Sequence, residues 1–210
     1  MKKIWRNVTF GFLALGVFCV LYASYQITHS AEFERNNQLA AILYVPEEPL
    51  HLEEQVKFTD CEARGPLPDP DCTPGSVFAD ATREEICVSG YSKTVRNVSK
   101  SLKKKVFEEY GIQYPVPFGS YEIDHLIPLS LGGSNDISNL WPKSAEPFPG
   151  FYEKNITGNY LREEVCAKNI ALVTAQQRIA NDWFAIYNSL DPKIIEDLKG
   201  KYKNWADRAK

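Results

Sequence analysis

The sequence predicts an α+β domain joined to an apolar amino-terminal segment. Two observations predict it: one strand–turn–strand pattern centred on Gly132-Gly133, and four helical patterns placed before and after it. No period of about 20–50 residues repeats along the chain, which excludes solenoids and propellers. With 44% hydrophobic and 24% charged residues in 210, wholesale disorder is also excluded.

The elements follow in order. Gly65 to Gly75 is dense in proline and glycine and reads as a turn-rich stretch where the domain begins. Ser99 caps a helix that runs to Tyr110, with Gly111 as its stop. Tyr121 to Leu131 alternates and then runs apolar, as a strand does. Gly132-Gly133-Ser134-Asn135-Asp136 is a turn, and Ile137 to Trp141 returns as a short strand that Pro142 ends. Residues 151–166 read as a helix in spite of Gly158. Ala171 to Ser189 reads as a second, with Leu172, Ala175, Ile179, Trp183 and Ile186 on one face. Pro192 opens a last amphipathic helix through about Arg208.

The formal charge of −3 hides an asymmetry. Residues 32–90 carry 13 acids and 4 bases, whereas residues 91–210 carry 14 acids and 17 bases. An acidic tether over 32–64, with short helical pieces, thus precedes a mildly basic domain over 65–210, the kind of split that points to an anionic partner for the second part. At the start, Lys2, Lys3 and Arg6 precede the apolar run Phe10 to Ala23, and no charge occurs from Asn7 through Ala31. Cleavage after Ala31 or Ser24 would put His29 or Tyr22 where a small residue belongs. The expectation is an uncleaved signal-anchor over residues 1–31, crossing the membrane through residues 8–27 with the domain on the non-cytoplasmic side. A cleaved signal peptide, leaving a secreted or periplasmic protein, is the alternative. Of five cysteines, Cys19 lies in the apolar run. Cys61, Cys72, Cys87 and Cys166 remain for two disulfides, with three connectivities open. No C-x-x-C occurs, which argues against a zinc ribbon or knuckle.

Of the three histidines, His29 flanks the apolar run and His51 sits in the tether. His125 follows Asp124 at the end of the first strand. Neighbours on a strand point to opposite faces, but a strand end that twists into a loop brings both to one centre. Asn139, across the turn, is placed to brace that loop. Between Tyr91 and Val106, Lys93, Arg96, Lys100, Lys103, Lys104 and Lys105 occur without an acid, a run able to neutralise several phosphates. Lys103 to Lys105 read as a solvated helix face. Arg96 reads as the direct phosphate contact, with Lys93 and Lys100 beside it. Glu122 reads as a brace for a nearby base, and Trp141 and Trp183 as core.

Glu122-Ile-Asp-His-Leu-Ile-Pro128, then Gly132-Gly-Ser-Asn-Asp136, then Asn139-Leu-Trp-Pro142, resembles the HNH nucleases, the ββα-metal or His-metal finger group. The core of the resemblance spans Tyr121 to about Cys166, and a looser likeness to exported HNH-like proteins runs from Pro68 to Trp183. The resemblance implies a ββα-metal hairpin–helix over about 120–166, wrapped by further helices. It implies His125 as general base, Asp124 as metal ligand and Asn139 as support for the hairpin and histidine. The family's helix offers a His or Asn; here Asn155 is the first choice of ligand, ahead of Asn159, and Lys154 beside it is a candidate phosphate contact. The implied activity is metal-dependent endonucleolytic hydrolysis of DNA, favoured over RNA, with little sequence preference. The implied cofactor is a divalent ion, Mg²⁺ or Mn²⁺ ahead of Zn²⁺, because carboxylate and amide oxygens suit a hard cation. No small-molecule cofactor is expected, and oligomeric state stays open. The alternative is an HNH-like binding or structural module without turnover, held at the membrane.

Overall fold

The computed structural model describes residues 50–202, together with Tyr25 and Gln26. Apart from Tyr25 and Gln26, the expected signal-anchor lies outside the described residues; the last helix ends at Lys201 with Tyr202 as its C-cap, short of the expected Arg208. Among the described residues no helix is long and apolar enough to cross a membrane. The chain divides into compact units Met1–Pro46 and Glu47–Lys210; Tyr25 and Gln26, helical and exposed, are what is described of the first.

The second unit is α+β. Its elements are α1 (Arg83–Ile86), α2 (Tyr91–Val95), α3 (Lys100–Glu109), β1 (Tyr121–His125), β2 (Leu140–Ser144), α4 (Phe151–Cys166), α5 (Leu172–Ser189) and α6 (Pro192–Lys201), with 3-10 turns at Leu129–Leu131 and Ile137–Asn139. Local chemistry sets most of these bounds. The Ser99 hydroxyl accepts the Leu102 N–H to open α3, and Gly111 at φ +63° follows its end. Asp191 accepts the Lys193 N–H, with Pro192 in the first turn of α6. Asp182 leaves helical geometry inside α5 and re-caps the chain by accepting the Ala185 N–H at 2.9 Å, which kinks the helix.

The sheet differs from the sequence expectation at both strands. β1 stops at His125, and residues 129–131 form a 3-10 turn in place of continued strand. β2 starts at Leu140 and runs through Pro142, which pairs with Ile123. A proline is tolerated because, among the described residues, this antiparallel sheet has two strands, so each has a free edge that needs no N–H donor. The turn-rich start also moves. The compact unit begins at Glu47, and residues 50–60 form no helix. The His51 N–H donates to Gln177 Oε1 at 3.0 Å, Leu52 packs on the main core, and Lys57 pairs with the buried Asp69 at 3.0 Å. Residues assigned to a tether are therefore part of the folded body.

Two apolar clusters hold the elements. The larger joins Ile127 and Leu131 of the loop after β1 to Ile156, Leu161 and Val165 of α4, Ala175, Ile179 and Trp183 of α5, and Leu198 of α6. The smaller packs Val106 and Phe107 of α3 on Ile123 and Leu140 of the hairpin. Trp141 and Trp183 are both buried, and Trp183 donates to the Pro66 carbonyl at 3.0 Å. The four cysteines form two disulfides, Cys61–Cys72 and Cys87–Cys166. The second ties the chain just after α1 to the end of α4.

Candidate functional site

The site begins where β1 ends. Burial alternates along Glu122-Ile-Asp-His125: Ile123 and His125 are buried, whereas Glu122 and Asp124 are partly open. After His125 the Leu126 N–H still donates to the Asn139 carbonyl at 2.8 Å, and then the Asn139 side chain replaces the ladder. Its Oδ1 accepts the Ile127 N–H at 2.9 Å, and its Nδ2 donates to the carbonyls of Ile127 at 3.0 Å and Ser134 at 2.9 Å. This amide closes the loop over 127–134 at its base. Gly133 is required at the same spot, because a Cβ there would collide with the Ile127 carbonyl oxygen. Asn139 is fully buried and touches no cleft surface, so it braces the loop and does not reach a reacting atom.

His125 and Asp124 both line a cleft of about 510 Å³, together with Glu122, Lys93, Arg96, Asn155, Asn159, Arg162 and Tyr91. His125 Nε2 lies 3.2 Å from Asn135 Oδ1. Burial, foremost, pushes the imidazole down to about 4, with Arg96 and Lys154 adding to the fall and Asp124 and Asn135 opposing it. The ring is therefore a neutral free base at neutral pH. Burial also raises the Glu122 carboxyl, and repulsion from Asp124 adds to it.

Lys154 is the residue placed differently from expectation. It is 1% exposed, its ammonium lies 2.8 Å from Asp124 Oδ2, and it donates to the His125 carbonyl at 2.6 Å. The contact with Asp124 is an ion pair whose angle falls short of a hydrogen bond. It points into the hairpin and does not face a phosphate. Asn155, one step along α4, opens on the cleft. Lys100, at the exposed start of α3, lies outside the cleft lining. The structure thus brings His125, Asp124, Asn155, Arg96 and Lys93 to one cleft and leaves Lys100, Lys154 and Asn139 outside its lining, Lys154 directly behind it against Asp124.

Two residues escaped the sequence expectations, one in the cleft lining and one behind His125. Arg162 donates from Nε to the Ile86 carbonyl at 3.0 Å and lines the cleft, its other nitrogens making no further hydrogen bond among the described residues. Its signal was the 155, 159, 162 spacing, one face of a helix. Asn135 was read only as a turn residue; its contact with His125 has no local signature.

The cleft wall mixes oxygen donors with the cationic Lys93, Arg96 and Arg162. The Glu122 and Asp124 carboxylates and the Asn155 and Asn159 amides share it, and the two carboxylates repel each other. That donor chemistry fits a hard divalent cation. Among the described residues no group of three or more His, Cys, Asp and Glu side chains is placed to hold a metal ion. No protein-family model, curated protein or solved structure matches the chain.

Proposed function

We propose that the chain is a metal-dependent endonuclease of the HNH, or ββα-metal, class, hydrolysing phosphodiester bonds of DNA with little sequence preference. One observation carries the reading: a neutral imidazole, buried, and its partly open neighbouring carboxylate, at the end of a two-stranded hairpin, line a cleft that also holds an arginine and helix asparagines. The order β1, β2, α4 supports the ββα assignment. His125 takes a proton from water, a task for which a free base is required. Asp124 stabilises the imidazolium that results, since its charge is the main influence raising His125. Arg96, exposed beside the cleft, grips two oxygens of the scissile phosphate, and Lys93 adds charge along the strand. Asp124, with Glu122 and Asn155, would hold Mg²⁺ or Mn²⁺, which supplies charge neutralisation at phosphorus and at the departing oxygen. A signal-anchor would place this activity on the non-cytoplasmic side.

The second reading, a binding module without turnover, is favoured by one observation: Lys154 already neutralises one oxygen of Asp124. Nicking of supercoiled plasmid by the full-length chain separates the two. Nicking with Mg²⁺ or Mn²⁺ that is lost in EDTA and in His125→Ala supports the nuclease. Duplex binding without nicking across several cations supports the module, and nicking unchanged in His125→Ala sinks the assigned base.

A further inference from the structure

Asn135 has a second set of partners that explains its place. Its Nδ2 donates to the Val95 carbonyl at 2.8 Å, and its Oδ1 accepts the Asn97 N–H at 3.1 Å. Those two bonds orient the amide without ambiguity. A flipped amide would set NH₂ against the Asn97 N–H and oxygen against the Val95 oxygen. The atom facing His125 Nε2 at 3.2 Å is therefore the amide oxygen, which can only accept. A hydrogen bond across that gap requires the proton on Nε2, and Nδ1 then carries the lone pair. Among the described residues Nδ1 makes no hydrogen bond, and the ring lines the cleft.

We infer that Asn135 is a positioning residue: its amide holds His125 as the Nε2–H tautomer and fastens that ring to the Val95–Asn97 segment carrying Arg96, so that base and phosphate-gripping arm form one unit. The tautomer assignment stands on geometry alone; its use in proton removal rests on the nuclease reading. The arrangement has a physical rationale. The arm between α2 and α3 lacks regular structure and rests on the smaller apolar cluster only through Val98, so Asn135 is what registers its exposed arginine against the base. Three bonds to one side chain register them, and alignment of reacting groups is where much of a rate enhancement resides.

The test is ¹⁵N-histidine NMR on the full-length chain in detergent, with the His125 signals identified by their loss in His125→Gln. The expected wild-type pattern is a pyrrole-type Nε2 and a pyridine-type Nδ1. Asn135→Asp keeps an oxygen for Nε2–H and for the Asn97 N–H, and should keep that pattern. Asn135→Ala should mix the tautomers, lower turnover in plasmid nicking by roughly 10–100-fold and raise KM as the arm loosens. A proton on Nδ1 in the wild type, an unchanged tautomer in Asn135→Ala, or a change confined to KM overturns the inference. Should no cation support nicking while the Nε2–H pattern is present and lost in Asn135→Ala, the nuclease reading fails and the clamp stands.

Discussion

Asn139 offers the sharpest test of how the hairpin end is built. Its side chain makes three hydrogen bonds in a fully buried position, to Ile127 N–H, Ile127 C=O and Ser134 C=O. Asn139→Ala removes all three and leaves one donor and two acceptors stranded. At a net of about 1 kcal/mol per bond, plus desolvation of the orphaned groups, the loss should be roughly 3–5 kcal/mol. Asn139→Asp is the more discriminating change, because it keeps the shape and the acceptor but sets an oxygen against two carbonyls. The new carboxyl escapes by holding its proton, so its folded pKa rises above the unfolded value near 3.9. A raised carboxyl lets the folded state bind more protons, and stability then falls as pH rises through the window from about 4 to that folded pKa. Urea unfolding followed by far-ultraviolet circular dichroism at pH 5 and pH 7 reads both variants. The Asp variant should lose more at pH 7 than at pH 5, and the Ala variant should lose the same at both. An Asp variant as stable as wild type at pH 7, or an Ala variant within about 1 kcal/mol of it, would refute the loop-closing role.

Three further outcomes are expected. Replacing Cys87 and Cys166 by alanine opens a separation of 79 residues and should cost about 4.5 kcal/mol by chain entropy, against about 3 for Cys61 and Cys72 at 11; denaturant midpoints of the two double variants check the order. Lys143, 2% exposed and 2.8 Å from the Pro149 carbonyl, is pushed down to about 8 by burial. The unfolded chain binds that proton up to about 10.5, so wild type should gain up to about 3 kcal/mol relative to Lys143→Met between pH 8 and 10.5; parallel unfolding curves without that divergence would contradict it. Arg96→Ala should weaken duplex binding measured in EDTA and reduce the slope of log K against log salt by about 1; an unchanged slope removes Arg96 from the phosphate contacts.

What the sequence made legible was what local chemistry decides. Ser99 and Gly111 bound α3, Pro192 opened α6, and the Gly-Gly turn located the hairpin, because caps and turns act within a few residues. Strand limits were misread for a related reason. Pro142 is a reliable stop in a central strand, and nothing local says that this sheet has, among the described residues, two strands. Lys154 and Asn155 show the limit at the site. They are adjacent near the start of α4, and only the rotation of that helix against the hairpin sends one inward to Asp124 and the other to the cleft. Asn135 was invisible as a histidine partner because its fastening to Val95 and Asn97 spans 40 and 38 residues.

That inward lysine decides what removing a metal should do. A carboxylate awaiting a structural ion is an unpaired charge without it, and such domains come apart in chelator. Asp124 is not in that position, since Lys154 lies 2.8 Å from one oxygen and also bonds the His125 carbonyl, tying α4 to the end of β1. The hairpin–helix contact is therefore complete without an ion. EDTA should abolish nicking and leave the thermal midpoint where it was. Lys154→Met should do the reverse to stability, because a nearly buried carboxylate loses its partner; breaking such a pair costs about 3–5 kcal/mol when fully buried, and less here since Asp124 keeps 13% of its side-chain exposure. A midpoint that falls in EDTA would mean that a cation, and not the ammonium, holds this corner together.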